Sequence, residues 1–139
     1  MLPQVPLEQL NAMGENTMLA HLGIQITELG DDYICGTMPV DHRTHQPMGL
    51  LHGGANAVLA ESLGSYGSSL LVDLTTHGVS GLEINCNHIR GVRSGQVYGK
   101  ATIRHRGRST HIWEIEITNE EGKLVCLSRL TVAVMPHDR

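Results

Sequence analysis

Residues 54–72 have the sequence GANAVLAESLGSYGSSLLV, the longest segment of apolar and small residues in the chain. Its length favours a helix over a strand. Ala, Gly and Ser cover almost all of its faces, and Glu61 is its only charged residue. Because a helix with so little polar surface has to be buried, we predict one long central helix over about 54–72. Its small side chains would let a sheet approach closely.

Strand patterns lie on both sides of this segment. Short helical turns are expected over 7–21, followed by two strands around the turn Gly30-Asp31-Asp32. After the helix, apolar and polar residues alternate in the manner of half-buried strands. These runs cover residues 82–88, 96–103, 113–118 and 124–135. The order predicts an α+β fold, in which an antiparallel sheet of five to six strands wraps around one long central helix. One helix cannot cover a whole sheet face, so we expect a dimer.

Length and composition limit the function classes. A chain of 139 residues fits a single domain, 1–139. The net charge of −4 argues against a nucleic-acid partner. The N-terminus lacks a signal-peptide pattern, and no run approaches the ~18 apolar residues of a membrane span. Three cysteines without paired spacing favour free thiols in a reducing cytoplasm.

The loop before the helix carries candidate catalytic groups. It reads Gln46-Pro-Met-Gly-Leu-Leu-His52-Gly53-Gly54. Free backbone N–H groups and the positive end of the helix dipole meet at such a helix start, and they can bind a carbonyl oxygen that becomes negative during acyl transfer. The amide of Gln46 can donate to the same oxygen. Glu61, two turns into the helix, is expected to be nearly buried and to act as a base or a nucleophile. The alternative for Glu61 is a structural carboxylate that caps a polar network.

Four stretches together resemble the hotdog thioesterases of the phenylacetate-pathway type. They are Pro39-Val-Asp-His-Arg-Thr-His-Gln46-Pro, Gly49-Leu-Leu-His52-Gly-Gly, Leu59-Ala-Glu61-Ser-Leu-Gly-Ser65 and Gly81-Leu-Glu-Ile-Asn-Cys-Asn-His88-Ile-Arg90. Within that family, the chain is most similar to bacterial enzymes that release aromatic acyl groups from CoA or from carrier protein. The similarity extends from Leu10 to Val134.

The resemblance implies the function and the site. The function is hydrolysis of an acyl-CoA or acyl-carrier-protein thioester by a homo-oligomer, with no metal and no cofactor beyond the CoA of the substrate. A dimer of dimers is implied. The implied catalytic residues are Gln46, His52, Gly53 and Glu61. The implied substrate-binding residues are Ser65, His88, Met48 and Tyr66. For His88, a core histidine bonded to the backbone is the open alternative.

The spacing of Gly53 and Glu61 indicates a site shared by two subunits. Eight residues separate them, which is roughly 12 Å along one helix at a rise of ~1.5 Å per residue. Reacting groups must lie within ~3 Å of the same carbonyl. Two antiparallel helices across a two-fold axis could supply Gly53 from one subunit and Glu61 from the other.

Basic residues concentrate in the second half of the chain. Six of the ten Lys and Arg residues lie between 90 and 108. Such a cluster in an acidic protein favours the binding of an anionic ligand, and the phosphates of CoA are anionic groups. Arg90 and Arg108 are the candidates for phosphate contact. A solvated loop with outward charges is the alternative.

Other functions fit the sequence less well. His42, His45 and His52 match no usual metal-ligand spacing, and Gly64-Ser65-Tyr66-Gly67 lacks the first glycine of a serine-hydrolase elbow. Within the same fold, a dehydratase or hydratase and a non-catalytic acyl-CoA sensor stay open as alternatives. The sequence does not choose between attack by Glu61 itself and attack by water.

Overall fold

The central helix lies between two strands on its N-terminal side and four on its C-terminal side. The computed structural model describes residues 1–138. Its elements, in chain order, are α1 (Leu7–Met13), α2 (Met18–Leu22), β1 (Gln25–Leu29), β2 (Tyr33–Pro39), α3 (Gly53–Leu70), β3 (His77–His88), β4 (Gln96–Arg106), β5 (Thr110–Thr118) and β6 (Leu124–Pro136).

All six strands form one antiparallel sheet. Its strand order is β1-β2-β4-β5-β6-β3, and every pairing is antiparallel. Helix α3 lies against the sheet and contacts β2 to β6. The predicted α+β hotdog fold, with a sheet of five to six strands around one helix, is therefore confirmed.

Helix α3 begins one residue earlier and ends two residues earlier than the predicted 54–72. It begins at Gly53 because His52 caps it: the Nδ1 atom of His52 accepts a hydrogen bond from the N–H of Gly54 at 2.8 Å. At its other end, the N–H of Leu71 turns back to the carbonyl of Ser68 at 3.1 Å, which closes the last turn. Within residues 1–138, no helix is both long enough and apolar enough to cross a membrane.

Small residues let α3 lie very close to the sheet. Its buried stripe faces the strands and comprises Ala55, Asn56, Leu59, Ala60, Leu63, Gly64, Gly67 and Ser68. A Cβ on Gly67 would lie 2.3 Å from Cη2 of Trp113, and one on Gly64 would lie 2.6 Å from Cδ2 of Leu130. These two glycines therefore provide the space that the fully buried indole of Trp113 fills.

Ser68 satisfies two buried ring nitrogens beneath the helix. Its Oγ accepts from Nε1–H of Trp113 at 2.8 Å and lies 2.9 Å from Nδ1 of His111. The hydroxyl has one proton and two lone pairs, so it can bond both rings at once. Burial lowers the pKa of His111, with smaller contributions from Arg106 and His105.

Strand β3 differs from the expected alternation. Leu82 is the first apolar residue of the alternating run 82–88, which predicts a half-buried strand, yet it is 63 % exposed. The register shifts between Gly81 and Glu83, so Leu82 is an extra residue with no partner on β6. This β-bulge turns the side chain of Leu82 outward, and a period-2 pattern cannot reveal it.

The close approach at Gly67 yields a first prediction. Gly67→Ala should destabilise the fold by about 1–3 kcal/mol, because the added methyl group overlaps the fully buried Trp113 ring. Gly78→Ala on β3 is the matched control, since its Cβ would meet only the ring of His137 at 3.4 Å. Urea unfolding of both variants checks this. Equal free energies of unfolding for the two would contradict the packing described.

The cap on α3 yields a second prediction. His52→Ala should lower the free energy of unfolding by about 1 kcal/mol, because the N–H of Gly54 loses its acceptor. His52→Asn should recover most of that loss, since its amide oxygen can accept the same bond. His42→Ala is the control, because the side chain of His42 is 89 % exposed. A cap role is excluded if His52→Ala unfolds at the same urea concentration as His42→Ala.

Candidate active site

The loop that carries the candidate residues is held firmly before α3. Buried Thr44 donates its hydroxyl proton to the carbonyl of Pro39 at 2.7 Å, and its own carbonyl accepts from the N–H of His52 at 2.8 Å. Farther along, the N–H of Leu51 donates to the carbonyl of Val92 at 2.8 Å. The loop is thus fastened at both ends, so the helix start has a fixed position.

Gln46 is oriented as a donor. Its Oε1 accepts from the N–H of Met48, and its backbone N–H donates to the carbonyl of Leu50 at 2.8 Å. With the amide oxygen occupied, the Nε2 group is left to donate to a ligand. Met48 itself is 80 % exposed.

Gly53 presents a free N–H at the positive end of α3. N–H groups of the first helical turn have no acceptor within the helix, and that of Gly53 donates to no acceptor within residues 1–138. The ring of His88 lies directly over this residue. A Cβ on Gly53 would be 2.7 Å from Nε2 of His88, so no side chain fits there.

These groups surround a shallow depression of about 270 Å³. Gln46, Gly53, Asn56, His88 and Arg90 line it, together with Leu50. Asn56 is only 3 % exposed, and its Nδ2 lies 3.5 Å from Nδ1 of His88. One subunit therefore brings together Gln46, Gly53, His88 and Arg90 among the predicted residues. His52 is adjacent, as the helix cap.

Glu61 lies outside this depression. It projects beside β3, where its Oε1 would be 2.8 Å from a Cβ on Gly81. The expectation of a nearly buried carboxylate is wrong for the single subunit, in which Glu61 is exposed. The reason is that Glu61 falls at the edge of the buried stripe of α3, beside β3, and no other segment among residues 1–138 covers it. Half-buried Ser65 is one turn farther along the same face.

Tyr66 and Met48 do not line the depression. Tyr66 points beneath α1 and α2, where it lines a separate cavity of about 270 Å³ together with Asn11. Burial raises the pKa of its phenol.

The basic residues of 90–108 are dispersed within one subunit. Arg90 lines the depression, whereas Arg108 lines a cavity of about 290 Å³ beside Leu71, at the C-terminal end of α3. Arg104 forms an ion pair with Glu114 at 2.8 Å, and Lys100 lies 4.2 Å from the ring centre of Tyr33. A single cluster is therefore wrong for one subunit, because the basic residues are spread along the length of β4 and over the segments on either side of it.

The histidines of the loop are engaged separately. His45 contacts the carbonyl of Arg93 through Nε2 at 2.8 Å, His52 caps α3, and His42 lies 4.0 Å from Asp41. Among residues 1–138, no three His, Cys, Asp or Glu side chains gather as metal ligands would. A hydrogen-bonded Arg43 guanidinium holds the pKa of Asp41 well below its usual range.

Two thiols are poor nucleophile candidates. Burial raises the pKa of Cys126 to about 12, with a further contribution from Cys86, and raises that of Cys35 to about 11. Neither thiol forms appreciable thiolate at neutral pH, and the thiolate is the reactive form.

Asn56 is a member of the depression that the sequence analysis did not identify. In the structure, Asn56 and Ser68 are the only residues with polar side chains in the buried stripe of α3, and the sequence alone does not show which face of the helix is buried. Three residues after Gly53, its side chain lies on the first helical turn.

Comparisons with known proteins agree with this architecture. Residues 48–126 match the thioesterase superfamily. The 1,4-dihydroxy-2-naphthoyl-CoA hydrolase of Escherichia coli is 50 % identical over 132 residues, covering 95 % of this chain and 96 % of that protein. The proofreading thioesterase EntH of Cronobacter turicensis is 53 % identical over 129 residues, 93 % of each chain.

A solved structure gives the same result in three dimensions. A crystal structure of a mutant thioesterase from Pseudomonas aeruginosa superposes with a TM-score of 0.95 at 50 % identity, covering 98 % of this chain and 99 % of that chain. The family resemblance found in the sequence and the predicted class of enzyme are both confirmed. The chain is a hotdog-fold thioester hydrolase and belongs to the thioesterase superfamily.

Proposed function

We propose that this enzyme hydrolyses acyl-CoA thioesters that carry an aromatic or medium-length acyl group. The observation that carries the proposal is the free N–H of Gly53 at the positive end of α3, beside the donor-oriented amide of Gln46. The relative from Escherichia coli is named for an aromatic acyl-CoA, which supports the substrate class. A carrier-protein thioester is the related alternative.

The depression is suited to a carbonyl oxygen that gains negative charge. Gly53 and Gln46 supply N–H donors, and the dipole of α3 favours an anion at its N-terminus. In the proposed mechanism, the thioester carbonyl oxygen lies against these donors. His52 contributes by holding the first turn of α3 in place.

Glu61 completes the reaction. As a base, its carboxylate takes a proton from water while the water oxygen bonds to the carbonyl carbon; the C–S bond then breaks, and the thiolate leaves and is protonated. As a nucleophile, its carboxylate oxygen bonds to the carbonyl carbon, and the C–S bond breaks so that the thiolate leaves and is protonated; water then hydrolyses the mixed anhydride, which releases the acid and restores the carboxylate of Glu61. Both routes stay open. Ser65, on the same face, would help to place the water or the substrate. CoA enters as part of the substrate, and the reaction uses no further cofactor.

The proposed site requires a second subunit. Glu61 is roughly 12 Å along α3 from Gly53 in its own chain. Within residues 1–138, β3 pairs only with β6, so its other edge is open. Leu82 and Ile89 are 63 % and 53 % exposed on this strand and just after it. A second copy at this edge would cover these apolar side chains. It would also bring its Glu61 toward the depression.

The remaining predicted contacts belong to the CoA and acyl ends of the substrate. Arg90 is proposed to contact a CoA phosphate, and Arg108 to do so across the assembled oligomer, a dimer of dimers. Met48 and Tyr66 are proposed to contact the acyl group from the partner side. Three free thiols, Cys35, Cys86 and Cys126, fit the reducing cytoplasm that we propose as its compartment.

The mechanism predicts a strict need for the carboxylate of Glu61. Glu61→Gln should lower kcat by at least ~100-fold, as expected for loss of a base or nucleophile. Exposed Glu116→Gln on β5 is the control and should keep its activity. Thiol release is measured over a panel of aromatic and aliphatic acyl-CoAs. If Glu61→Gln keeps more than a tenth of wild-type turnover, Glu61 has neither role.

A shared site predicts complementation between two inactive variants. Glu61→Gln and Gln46→Ala, each nearly inactive alone, are unfolded, mixed equally and refolded. Half of the random dimers are then mixed, and each mixed dimer holds one intact site and one doubly damaged site. Activity should therefore recover to roughly a quarter of wild type under two-fold symmetry.

The controls separate this arrangement from a site within one subunit. If each subunit held a complete site, every site would carry one lesion and mixing would restore nothing. Two preparations of Glu61→Gln, refolded together, must stay inactive in either case. Mixed dimers, verified by native mass spectrometry, that show no recovery would exclude a shared site.

A further inference from the structure

Asn56 is a buried amide with one unsatisfied atom. Its side chain sits on the first turn of α3, among the apolar residues of the buried stripe, and is 3 % exposed. No donor within residues 1–138 reaches its Oδ1. A buried acceptor without a partner destabilises a fold, whereas an apolar residue of similar shape would not. A position that retains such a group at a site is a candidate for a functional role.

The one hydrogen-bonding neighbour of the Asn56 side chain within the described chain is His88. The amide Nδ2 lies 3.5 Å from Nδ1 of the imidazole. The opposite side of the same ring lies over Gly53, with Nε2 only 2.7 Å from the point that a Cβ there would occupy. Asn56 therefore contacts one ring nitrogen, and the other ring nitrogen lies against Gly53 at the start of α3.

The direction of the Asn56 hydrogen bond decides what His88 offers to a ligand. If Nδ2–H donates, Nδ1 is an acceptor and the proton of the neutral ring is on Nε2. The Nε2–H group is then a donor beside the N–H of Gly53. If the amide were rotated, Oδ1 would require a proton on Nδ1, and a lone pair on Nε2 would repel a carbonyl oxygen in the depression.

We infer that Asn56 is a positioning residue, which fixes His88 as the Nε2–H tautomer so that the ring donates to the thioester carbonyl oxygen together with Gly53. This inference rests on the proposed function, since it assigns a further donor to the same depression. A donor whose hydrogen bond strengthens as the carbonyl oxygen gains negative charge stabilises the transition state more than the bound substrate. Its loss therefore lowers kcat more than it changes KM.

The decisive measurement is the tautomer of His88 in the whole protein. The wild-type chain is labelled with ¹⁵N-histidine, and His88→Gln assigns the ring signals by their loss. At a pH above histidine titration, the wild type should show a protonated Nε2 and an unprotonated Nδ1. In Asn56→Leu, the ring is free to exchange tautomers, and its two nitrogen shifts should move toward each other. A wild-type ring protonated on Nδ1 would overturn the inference without any activity measurement.

Kinetics and stability supply the second readout. Asn56→Leu should lower kcat about 10-fold with little change in KM, because a transition-state donor is no longer held in place. Its Tm should stay equal to that of wild type or rise, because the unsatisfied Oδ1 is gone. Ser68→Ala, at the other end of the same buried stripe, is the matched control. It removes two satisfied hydrogen bonds, so its Tm should fall while kcat is kept.

The outcomes separate this inference from the proposed function. If Asn56→Leu retains more than half of wild-type kcat at full Tm, Asn56 does not position a catalytic donor, whatever the role of Glu61. If Glu61→Gln is fully active, the proposed function fails, although the ¹⁵N measurement still reports the tautomer. Should Asn56→Leu fold poorly, its Tm shows this directly, and the wild-type tautomer alone then decides the matter.

Discussion

Helix α3 can lie against the indole of Trp113 only because two of its residues have no side chain. The indole of Trp113 occupies the space at Gly64 and Gly67, and its N–H is satisfied by the hydroxyl of Ser68. The fit of the indole against the two glycines and its hydrogen bond to Ser68 thus require the same distance between helix and sheet. Because the loop before α3 is tied to Pro39 and Val92, this distance also determines where the helix begins and where its N-terminal dipole points.

At the N-terminal end of α3, the candidate site also depends on a glycine that leaves room for a ring. Gly53 leaves room for the ring of His88, just as Gly67 leaves room for Trp113. The consequence differs, because the N-terminal turn has free N–H groups and the middle of the helix has none. Close packing in the middle of α3 therefore gives stability, whereas close packing at its start gives an electropositive, donor-lined depression.

Much of this architecture could be predicted from the sequence, because small residues and period-2 alternation are local signals. The helix at Glu61, the hairpin at Gly30 and the number of strands before and after α3 in the chain all follow from them. Leu82 could not be predicted, because a bulge is a property of strand pairing. The exposure of Glu61 could not be predicted either, since apolar flanking residues do not show which chain covers them. The partner of Asn56 is 32 residues away, and such a contact exists only after folding.

The overlap between Gly53 and His88 has a consequence for how related sequences can vary. A side chain at position 53 and an imidazole at position 88 compete for the same volume. The two positions are therefore expected to change together. A residue larger than Gly at 53 requires a side chain smaller than His at 88, and a smaller side chain at 88 leaves room for a side chain at 53. In a set of aligned relatives, this exclusion would appear as covariation between the start of α3 and the end of β3, linking two segments that share no backbone hydrogen bond.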